Sequence, residues 1–343
     1  MPHRTFIGFI WPSVLAMILF IALPIVSVAV QSLYIEHEQV LETVENCGPF
    51  GCKEVSIVNV EASEALNREA PLGRFNGLGT YANRNHLAIA EIGEAWANSS
   101  TVTGFLSKVF NLPFYKALGF TLTYTFVVTP LVIMLGFCIA LTVNRLPSIC
   151  KGPTIFVSLL PMIVTPLIGS LILFWMIDSG GVIGGTLQVI FDDPDLSLKA
   201  SPTLTWITLL VYGVWHGAPF AFVVFYAGLQ TVPADTVESA MIDGASRWQR
   251  IRHVVIPHLM PLVVFITLIQ LMDNFRVFEP IVGFNAAASA TSLSWLIYND
   301  FRSGDGTMLF GSAAATSMLT IIGVSILLVP VVVRTWRANR GMV

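Results

Sequence analysis

The chain has 343 residues, of which 55% are apolar and only 11% are Asp, Glu, Lys or Arg. Soluble domains average about 25% charged residues, so this composition, with a mean hydropathy of +0.74, excludes an ordinary water-soluble enzyme and indicates an integral membrane protein. The net charge of −3 provides no basic field for a nucleic-acid partner, and four cysteines are too few for a disulfide scaffold.

Six apolar stretches are long enough to cross the hydrocarbon core of a bilayer, which takes about 20 residues of helix. Backbone in lipid must form helices or a closed barrel, and continuous apolar runs without strict alternation favour helices. We therefore predict an all-α polytopic protein with six transmembrane helices, the first of which is retained and is not a signal peptide. They lie near residues 7–33, 117–143, 154–177, 204–230, 259–284 and 311–333.

The distribution of basic residues predicts the orientation. If the N-terminus is inside, the inner segments carry nine basic and three acidic residues, and the outer segments carry eight basic and sixteen acidic residues. Short cytoplasmic loops retain Lys and Arg, so both termini are predicted to be cytoplasmic. The chain then divides into an N-terminus with the first helix (1–33), an extracytoplasmic insertion (34–116) and a core of five helices (117–343).

The insertion contains ten glutamates and several turn clusters. It is either a small folded cap that docks an extracytoplasmic partner or a loop with no role beyond packing, and it includes a predicted helix near Leu87 to Trp96. Cys47 and Cys52 lie in the sequence CGPFGC, which favours a local disulfide in an oxidising compartment. Two free thiols or a weak metal site are the alternatives, and we predict no metal site elsewhere.

The second inner loop, within residues 231–258, predicts a helix, a turn and a second helix along the inner membrane face. Thr231 and Pro233 suit the start of the first helix, and Gly244 can adopt the left-handed conformation that ends it. Ser246 and Gln249 have the spacing of a capping box for the second helix. The apolar stripe comprises Val237, Ala240, Met241 and Ala245, and the small-residue surface comprises Ser239, Ala240, Gly244 and Ala245.

Such a loop could simply rest in the lipid headgroups as an amphipathic helix. Its apolar stripe is small-sided, however, and lacks the Leu and Phe of membrane-inserting helices. This composition favours contact with another protein that approaches closely.

The loop resembles the EAA signature of the permease subunits of binding-protein-dependent ABC importers, which reads E-A-A, three residues, G, nine residues, I-x-L-P. Here Glu238-Ser239-Ala240 leads to Gly244 after three residues, and nine more lead to Val254-Val255-Ile256-Pro257. The spacing is intact, and the departures at Ser239, Val254 and Ile256 keep size or apolar character.

Further segments are similar to the carbohydrate-uptake branch of these permeases, the maltose-type or MalF-like subunits. They are Ala227–Pro233, Asn274–Glu279, Ala290–Leu293 and Leu296–Tyr298. Where that branch often has Gly-Gly-Pro before the last outer segment, this chain has Asn285-Ala-Ala-Ala-Ser, a departure that bears on the substrate and not on the type of subunit.

The resemblance implies a type I importer permease fold in a bacterial inner membrane, with transport of a sugar, polyol or glycoside. It implies a second permease subunit, two cytoplasmic ATPase subunits that bind ATP and Mg, and an extracytoplasmic solute-binding protein, besides membrane lipid. The chain has no G-x-x-x-x-G-K-[ST] phosphate loop, so we expect no enzyme activity and no cofactor in it. The residues implied to couple to the ATPase are Glu238, Ser239, Ala240, Asp243, Gly244, Ala245 and Trp248.

Two other classes remain open. A secondary transporter is also polytopic, but it usually has more helices in internal repeats; no repeat is seen, and the signature in the inner loop would be unexplained. An intramembrane enzyme would need a cluster of catalytic side chains, whereas the six histidines are scattered.

Ionisable residues in the predicted fifth helix are candidates for the solute path, because charges in a bilayer are costly unless they are paired or face water. Asp273, Arg276 and Glu279 are three residues apart, so a mutual ion pair is feasible, and a purely structural pair is the competing reading. Asn274 is the better ligand candidate. Tyr124, and Trp215 with His216, are weaker candidates for stacking and hydrogen bonding to a sugar ring, since single aromatic residues in such helices more often serve packing.

Overall fold

The computed structural model describes residues 2–37, 41–48, 51–59, 65–66, 68–199, 201–302 and 309–340. The side chains of residues 2–5, 41, 43–48, 51–58, 336 and 338–340 lie outside this description. Within it, five continuous helices are long and apolar enough to cross a membrane, and a bent helix pair brings the number to six if it counts as one span. The predicted polytopic helical architecture is thus confirmed, with changes at two of the six positions.

The first span, Phe6–Gln31, is a continuous helix with one wide turn. It comprises the α-helix Pro2–Met17, a π-helical turn at Ile18–Ala22 and the α-helix Leu23–Gln31. Pro24 is the second residue after the π turn. Proline lacks an N–H and its ring clashes with the carbonyl four residues earlier, and a π turn relieves that clash. None of the most apolar stretch of this helix is buried against the chain, so it presents apolar side chains all round, as a lipid-facing helix does.

The third span differs from the prediction of one continuous helix over 154–177. Two helices, Ser148–Ile163 and Pro166–Met176, meet at an angle of 95°. Val164 and Thr165 between them are extended, the conformation that a following proline imposes on the residue before it. The break therefore follows from Pro166, which the hydropathy of the segment conceals.

The fifth span also differs from the prediction of 259–284. It runs as one helix from Arg247 to Phe275, in which Arg247–Arg250 and Ile256–Phe275 are α-helical and Ile251–Val255 is a π turn before Pro257. The second helix of the inner loop is therefore the start of this span. The chain then breaks at Arg276–Phe278 and resumes in a short helix, Glu279–Gly283.

The second, fourth and sixth spans are Pro113–Arg145, Pro202–Leu229 and Phe310–Thr335, close to the predicted positions. Helix Phe310–Arg340 contains the last of these. Shorter helices include Gly79–Ala82, Ile89–Ala97, Val102–Phe110, Val182–Phe191, Ala234–Ile242 and Leu293–Phe301.

The chain forms two compact units, one comprising Met1–Tyr115 with Leu296–Ile321 and the other Lys116–Trp295 with Ile322–Val343. In the first unit, strand Tyr34–Ile35 pairs antiparallel with Arg74–Phe75, and strand Leu41–Gly48 pairs antiparallel with Gly51–Val58. Helix Ile89–Ala97 confirms the helix predicted near Leu87 to Trp96. The sequence pattern did not predict the strands.

The predicted disulfide between Cys47 and Cys52 involves side chains outside the described part of the structure and stays a prediction. The backbone places the two residues opposite one another in the hairpin. Cys138 and Cys150 are unpaired and exposed.

Hydrogen bonds attach the inserted segment to helix ends within the first unit. The Tyr81 hydroxyl donates to Ser32 Oγ at the end of the first span, at 2.6 Å. His86, 1% exposed, has its Nε2 3.1 Å from the carbonyl of Ser312 in the last long helix. The Tyr115 hydroxyl donates to the carbonyl of Leu87 at 3.0 Å.

We expect Asp300 to make the stability of the first unit depend on pH. Burial raises the pKa of its carboxyl, and this rise is partly offset by the hydrogen bond from Ser312 Oγ (2.7 Å) and by the nearby His86. When the pKa of a carboxyl is higher in the folded state than in the unfolded state, the protein becomes less stable as the pH rises from the unfolded pKa through the folded pKa. We expect Asp300→Asn to raise the unfolding temperature at neutral pH and to flatten its dependence on pH over that window.

Thermal unfolding of the detergent-solubilised protein across pH measures this effect. Asp195→Asn, at an exposed aspartate, is the matched control. A fall in unfolding temperature for Asp300→Asn that is equal at acidic and neutral pH would contradict the account.

The core of the second unit lies between the second, fourth and fifth spans. Its largest fully buried side chains include Phe120, Tyr212, Phe222, Phe225, Leu259 and Ile266. Small residues allow the helices to approach closely: a Cβ added at Gly136 would lie 2.6 Å from Ala221 Cβ and 2.8 Å from the backbone nitrogen of Phe222.

Candidate functional site

The first helix of the inner loop, Ala234–Ile242, begins after Pro233, whose backbone is extended (φ −62°, ψ 127°). The expectation that Thr231 caps this helix is wrong. Its hydroxyl instead donates to the carbonyl of Gly228 at 2.8 Å, at the end of the fourth span, because the extended Pro233 separates it from the new helix.

The turn after this helix has the predicted left-handed glycine. Gly244 has φ +78°, the N–H of Ala245 donates to the carbonyl of Ala240 at 2.9 Å, and the N–H of Gly244 donates to that of Met241 at 3.1 Å. This pair of bonds is a Schellman motif. Left-handed backbone costs other residues about 1–2 kcal/mol, which explains glycine here.

The predicted capping box is also present. The N–H of Gln249 donates to Ser246 Oγ at 3.3 Å, and the N–H of Ser246 donates to Gln249 Oε1 at 2.7 Å. The helix that starts here continues unbroken to Phe275. The loop is therefore rigidly connected to a helix long enough to cross the membrane.

The surface of the loop is open. Glu238, Ser239, Asp243, Gly244 and Trp248 are exposed. Ala240 and Ala245 are half-buried.

Large apolar side chains add to this surface. Ile242 is 86% exposed, Trp248 65% and Met241 56%. Apolar groups clustered with small residues are typical of protein contact. The sequence pattern did not single out Ile242, because it falls outside the predicted stripe.

Two hydrogen bonds join the ends of three spans beside the loop. Gln230 Nε2 donates to Asn144 Oδ1 at 3.0 Å, which connects the fourth span to the second. Thr231 Oγ1 and His258 Nε2 are 3.1 Å apart, which connects the fourth span to the fifth. The ends of the second, fourth and fifth spans are thereby joined to one another beside the loop.

A polar cavity of about 600 Å³ lies where the third and fifth spans are broken. Irregular backbone at membrane depth is tolerated where it is buried in protein or lines a water-filled cavity, and both breaks lie beside this cavity. Its ionisable or polar lining side chains are Tyr124, Tyr212, His216, Gln270, Asp273, Asn274, Arg276 and Glu279.

Two side chains of the fourth span contact backbone carbonyl groups at the break in the third span. The Tyr212 hydroxyl donates to the carbonyl of Pro166 at 2.7 Å, and His216 Nε2 lies 3.4 Å from that of Val164. Sequence reasoning did not assign a role to Tyr212 or Gln270. The signal available for Tyr212 and His216 was their spacing of four residues in an apolar span, which places both on one face.

Asp273 and Arg276 form an ion pair, with Arg276 Nη2 2.8 Å from Asp273 Oδ1, and both side chains are more than half exposed. Glu279 lies beyond the break, at the start of the next short helix. The three residues are thus not on one continuous helix, as the spacing predicted, although all three line the cavity.

Asn274 lines the cavity but is buried. Its Nδ2 donates to Thr129 Oγ1 at 3.0 Å and to Gln270 Oε1 at 3.4 Å. The bond to Thr129 connects the fifth span to the second, whereas the bond to Gln270 lies within the fifth span. Its role as a solute ligand stays a prediction.

The two aromatic candidates are separated. Tyr124 lines the cavity and is 4% exposed. Trp215 lines a different, apolar groove of about 550 Å³, so the structure does not bring it together with the other candidates.

Residues 100–338 match the family described as binding-protein-dependent transport system inner membrane component. The chain is 29% identical over 214 residues to the trehalose/maltose transport system permease protein MalF of Thermococcus litoralis, covering 61% of this chain and 70% of that protein. It is 30% identical over 218 residues to the multiple sugar-binding transport system permease protein MsmF of Streptococcus mutans, covering 62% and 73%.

The fold is also similar to that of a solved bacterial ABC transporter involved in the import of the acidic polysaccharide alginate. The TM-score is 0.59 at 21% identity, over 81% of this chain and 97% of that one. The family match, the relatives and the fold agree with the geometry of the inner loop. The chain therefore belongs to the binding-protein-dependent transport system inner membrane components and is a multi-pass permease subunit of an ABC importer.

Proposed function

We propose that this permease forms half of the translocation path for a sugar, polyol or related glycoside. The observation that carries the substrate class is the set of relatives, which are permeases named for trehalose, maltose and multiple sugars. The second half is a separate permease subunit, and a solute-binding protein delivers the solute from outside. Both termini are cytoplasmic, in keeping with the excess of basic residues in the inner segments.

Energy comes from two cytoplasmic ATPase subunits that bind ATP and Mg. The open surface around Gly244, with exposed Ile242 and Trp248, suits a cleft in one of them. Because the loop continues into the fifth span and is hydrogen-bonded to the second and fourth, closure of the cleft moves these spans together. This motion alternates access to the cavity.

The polar cavity is the proposed solute path. Its tyrosines, amides and charged side chains can hydrogen-bond to several hydroxyl groups of a sugar, and about 600 Å³ is within the usual range of small-ligand pockets. The exposed Asp273–Arg276 pair offers an anionic acceptor beside a cationic donor. Asn274, Glu279 and Tyr124 complete the proposed contacts.

The Asp273–Arg276 pair is expected to act on transport more than on stability. An exposed ion pair contributes about 0–1 kcal/mol to folding, whereas a hydrogen bond to a charged group contributes about 1.5–3 kcal/mol. Asp273→Asn and Arg276→Gln should each raise the KM of uptake roughly tenfold or more with little change in unfolding temperature. Uptake kinetics and thermal unfolding, measured on the same preparations, check both statements.

The control is Asp178→Asn, which breaks another ion pair, between Lys199 Nζ and Asp178 Oδ1 at 2.7 Å, outside the cavity. Its KM should equal that of the unaltered protein. If KM is unchanged in both cavity variants, the Asp273–Arg276 pair does not contact the solute and serves only as a structural contact.

The inserted segment is proposed to dock the solute-binding protein. In its unit, Phe75, Leu78 and Trp96 are each at least 65% exposed, an apolar surface suited to a protein partner. This assignment and that of the substrate are tested together by reconstituting the importer with its binding protein. Uptake of a labelled sugar that needs both ATP and the binding protein is expected; uptake driven by an ion gradient without ATP would favour a secondary transporter.

A further inference from the structure

A further pocket, of about 620 Å³, lies beside the inner loop and shares no lining residue with the polar cavity. We call it the arginine groove. Its charged lining residues are Arg145, Arg247, Arg250 and Glu238, its amide is Asn144, and its apolar and small residues are Leu141, Leu229, Val232, Ala234, Val237, Met241, Ile251 and Val255.

The groove lies at the ends of three spans. Arg145 is the last residue of the second span and Leu229 the last of the fourth, and Ile251 and Val255 bound the π turn near the start of the fifth. Helix ends of this kind coincide with the boundary between hydrocarbon and water. An excess of basic residues at this position is typical of the cytoplasmic face of a membrane protein.

The charges of the groove are unbalanced. Three guanidinium groups face one carboxylate, that of Glu238. Among the described residues, none of the three guanidinium groups forms a hydrogen bond or an ion pair. Guanidinium groups bind phosphate oxygens in bidentate fashion, so the groove attracts a phosphate group, and its apolar wall extends from that charge toward the spans.

From this juxtaposition we propose that the arginine groove binds the phosphate headgroup and upper acyl chain of an anionic phospholipid of the inner leaflet. Positive charge at the membrane surface attracts anionic lipid, and the apolar wall distinguishes a lipid from a soluble anion. The bound lipid contacts the helix Ala234–Ile242 from the side of Ala234, Val237, Glu238 and Met241. It therefore packs against this helix beside the open surface proposed to meet the ATPase, which is a role beyond the proposed transport of sugar.

The test measures lipid retention and does not depend on transport. The full chain, purified in detergent, is mixed with equal amounts of phosphatidylglycerol and phosphatidylcholine, and the retained lipids are counted by native mass spectrometry. We expect phosphatidylglycerol to be retained preferentially. Since each basic residue near an anionic surface is worth about 1 kcal/mol, Arg145→Gln and Arg247→Gln should each lower its retention about fivefold.

Arg252→Gln is the matched control, because Arg252 belongs to the same inner loop but does not line the groove. It should leave retention unchanged, Arg145→Lys should keep most of it, and Glu238→Gln should increase it. These variants distinguish a loss of lipid binding from unfolding of the protein. Thermal unfolding measures the stability of each variant independently.

Three outcomes would overturn the proposal. Equal loss with Arg252→Gln would make the effect one of net charge. Displacement of the lipid by excess inorganic phosphate would indicate a site for free anions. Normal lipid retention, together with loss of the ATPase subunits from the groove variants, would mean that the groove binds acidic protein.

Discussion

Gly244→Arg is expected to abolish most ATP-driven uptake while leaving the permease folded. A Cβ at Gly244 would meet no atom of this chain within 4 Å, so the arginine fits the isolated subunit. It projects, however, from the surface at which the ATPase is proposed to approach, and φ +78° adds backbone strain. A loss of only about 1.4 kcal/mol in docking corresponds to a tenfold loss of coupled complex, so we expect uptake to fall at least tenfold.

Two further variants distinguish the effect of backbone strain at residue 244 from that of a bulky side chain in the way of the ATPase. Gly244→Asn places a smaller side chain in a conformation that asparagine tolerates and should keep more uptake than Gly244→Arg. Gly244→Ala introduces left-handed backbone strain of about 1–2 kcal/mol without bulk. Uptake and the amount of copurified ATPase are measured for each, and a Gly244→Arg complex with normal ATPase content and normal uptake would refute the coupling role of the loop.

Gly136→Leu is expected to destabilise the permease core more than any variant of the cavity. Its Cβ would lie 2.8 Å from the backbone nitrogen of Phe222, and backbone cannot rotate away as the end of a flexible side chain can. Overpacking of this kind costs about 1–3 kcal/mol, and occasionally more. The unfolding temperature and the yield of monodisperse protein in detergent should both fall.

Gly152→Leu is the matched control, since Gly152 also lies in a helix but a Cβ there meets nothing within 4 Å. It should unfold near the temperature of the unaltered protein. Equal effects of the two substitutions would attribute the loss to glycine replacement in general and not to the crossing of the second and fourth spans.

Much of the inner loop could be predicted from sequence because its signals are local. The left-handed Gly244 and the capping box of Ser246 and Gln249 depend on residues within a few positions of one another, and both are present. The prediction that Thr231 caps the helix Ala234–Ile242 was wrong because two hydrogen bonds competed. The Thr231 hydroxyl can reach a carbonyl of the preceding helix as easily as an N–H of the following one. The neighbouring Pro233 decided between them.

The breaks in the third and fifth spans were missed because hydropathy measures only polarity. The segments around Pro166 and Arg276 are apolar enough to read as continuous helix, and the break at Pro166 depends on how a proline constrains the residue before it. The cavity was only partly predicted for a similar reason. Asp273, Arg276 and Glu279 were visible as charges, whereas the partners Tyr212 and Gln270 become evident only once the helices are packed.

The proposed mechanism depends on one contact, that between the inner loop and an ATPase subunit. Copurification of the tagged full chain from its native membrane, followed by identification and counting of the associated subunits, tests this contact most directly. We expect one further permease and two ATPase subunits to copurify with the chain, and we expect the ATPase subunits to be lost with Gly244→Arg. Recovery of the folded chain without any ATPase, under conditions in which its uptake activity is retained, would contradict the proposed mechanism.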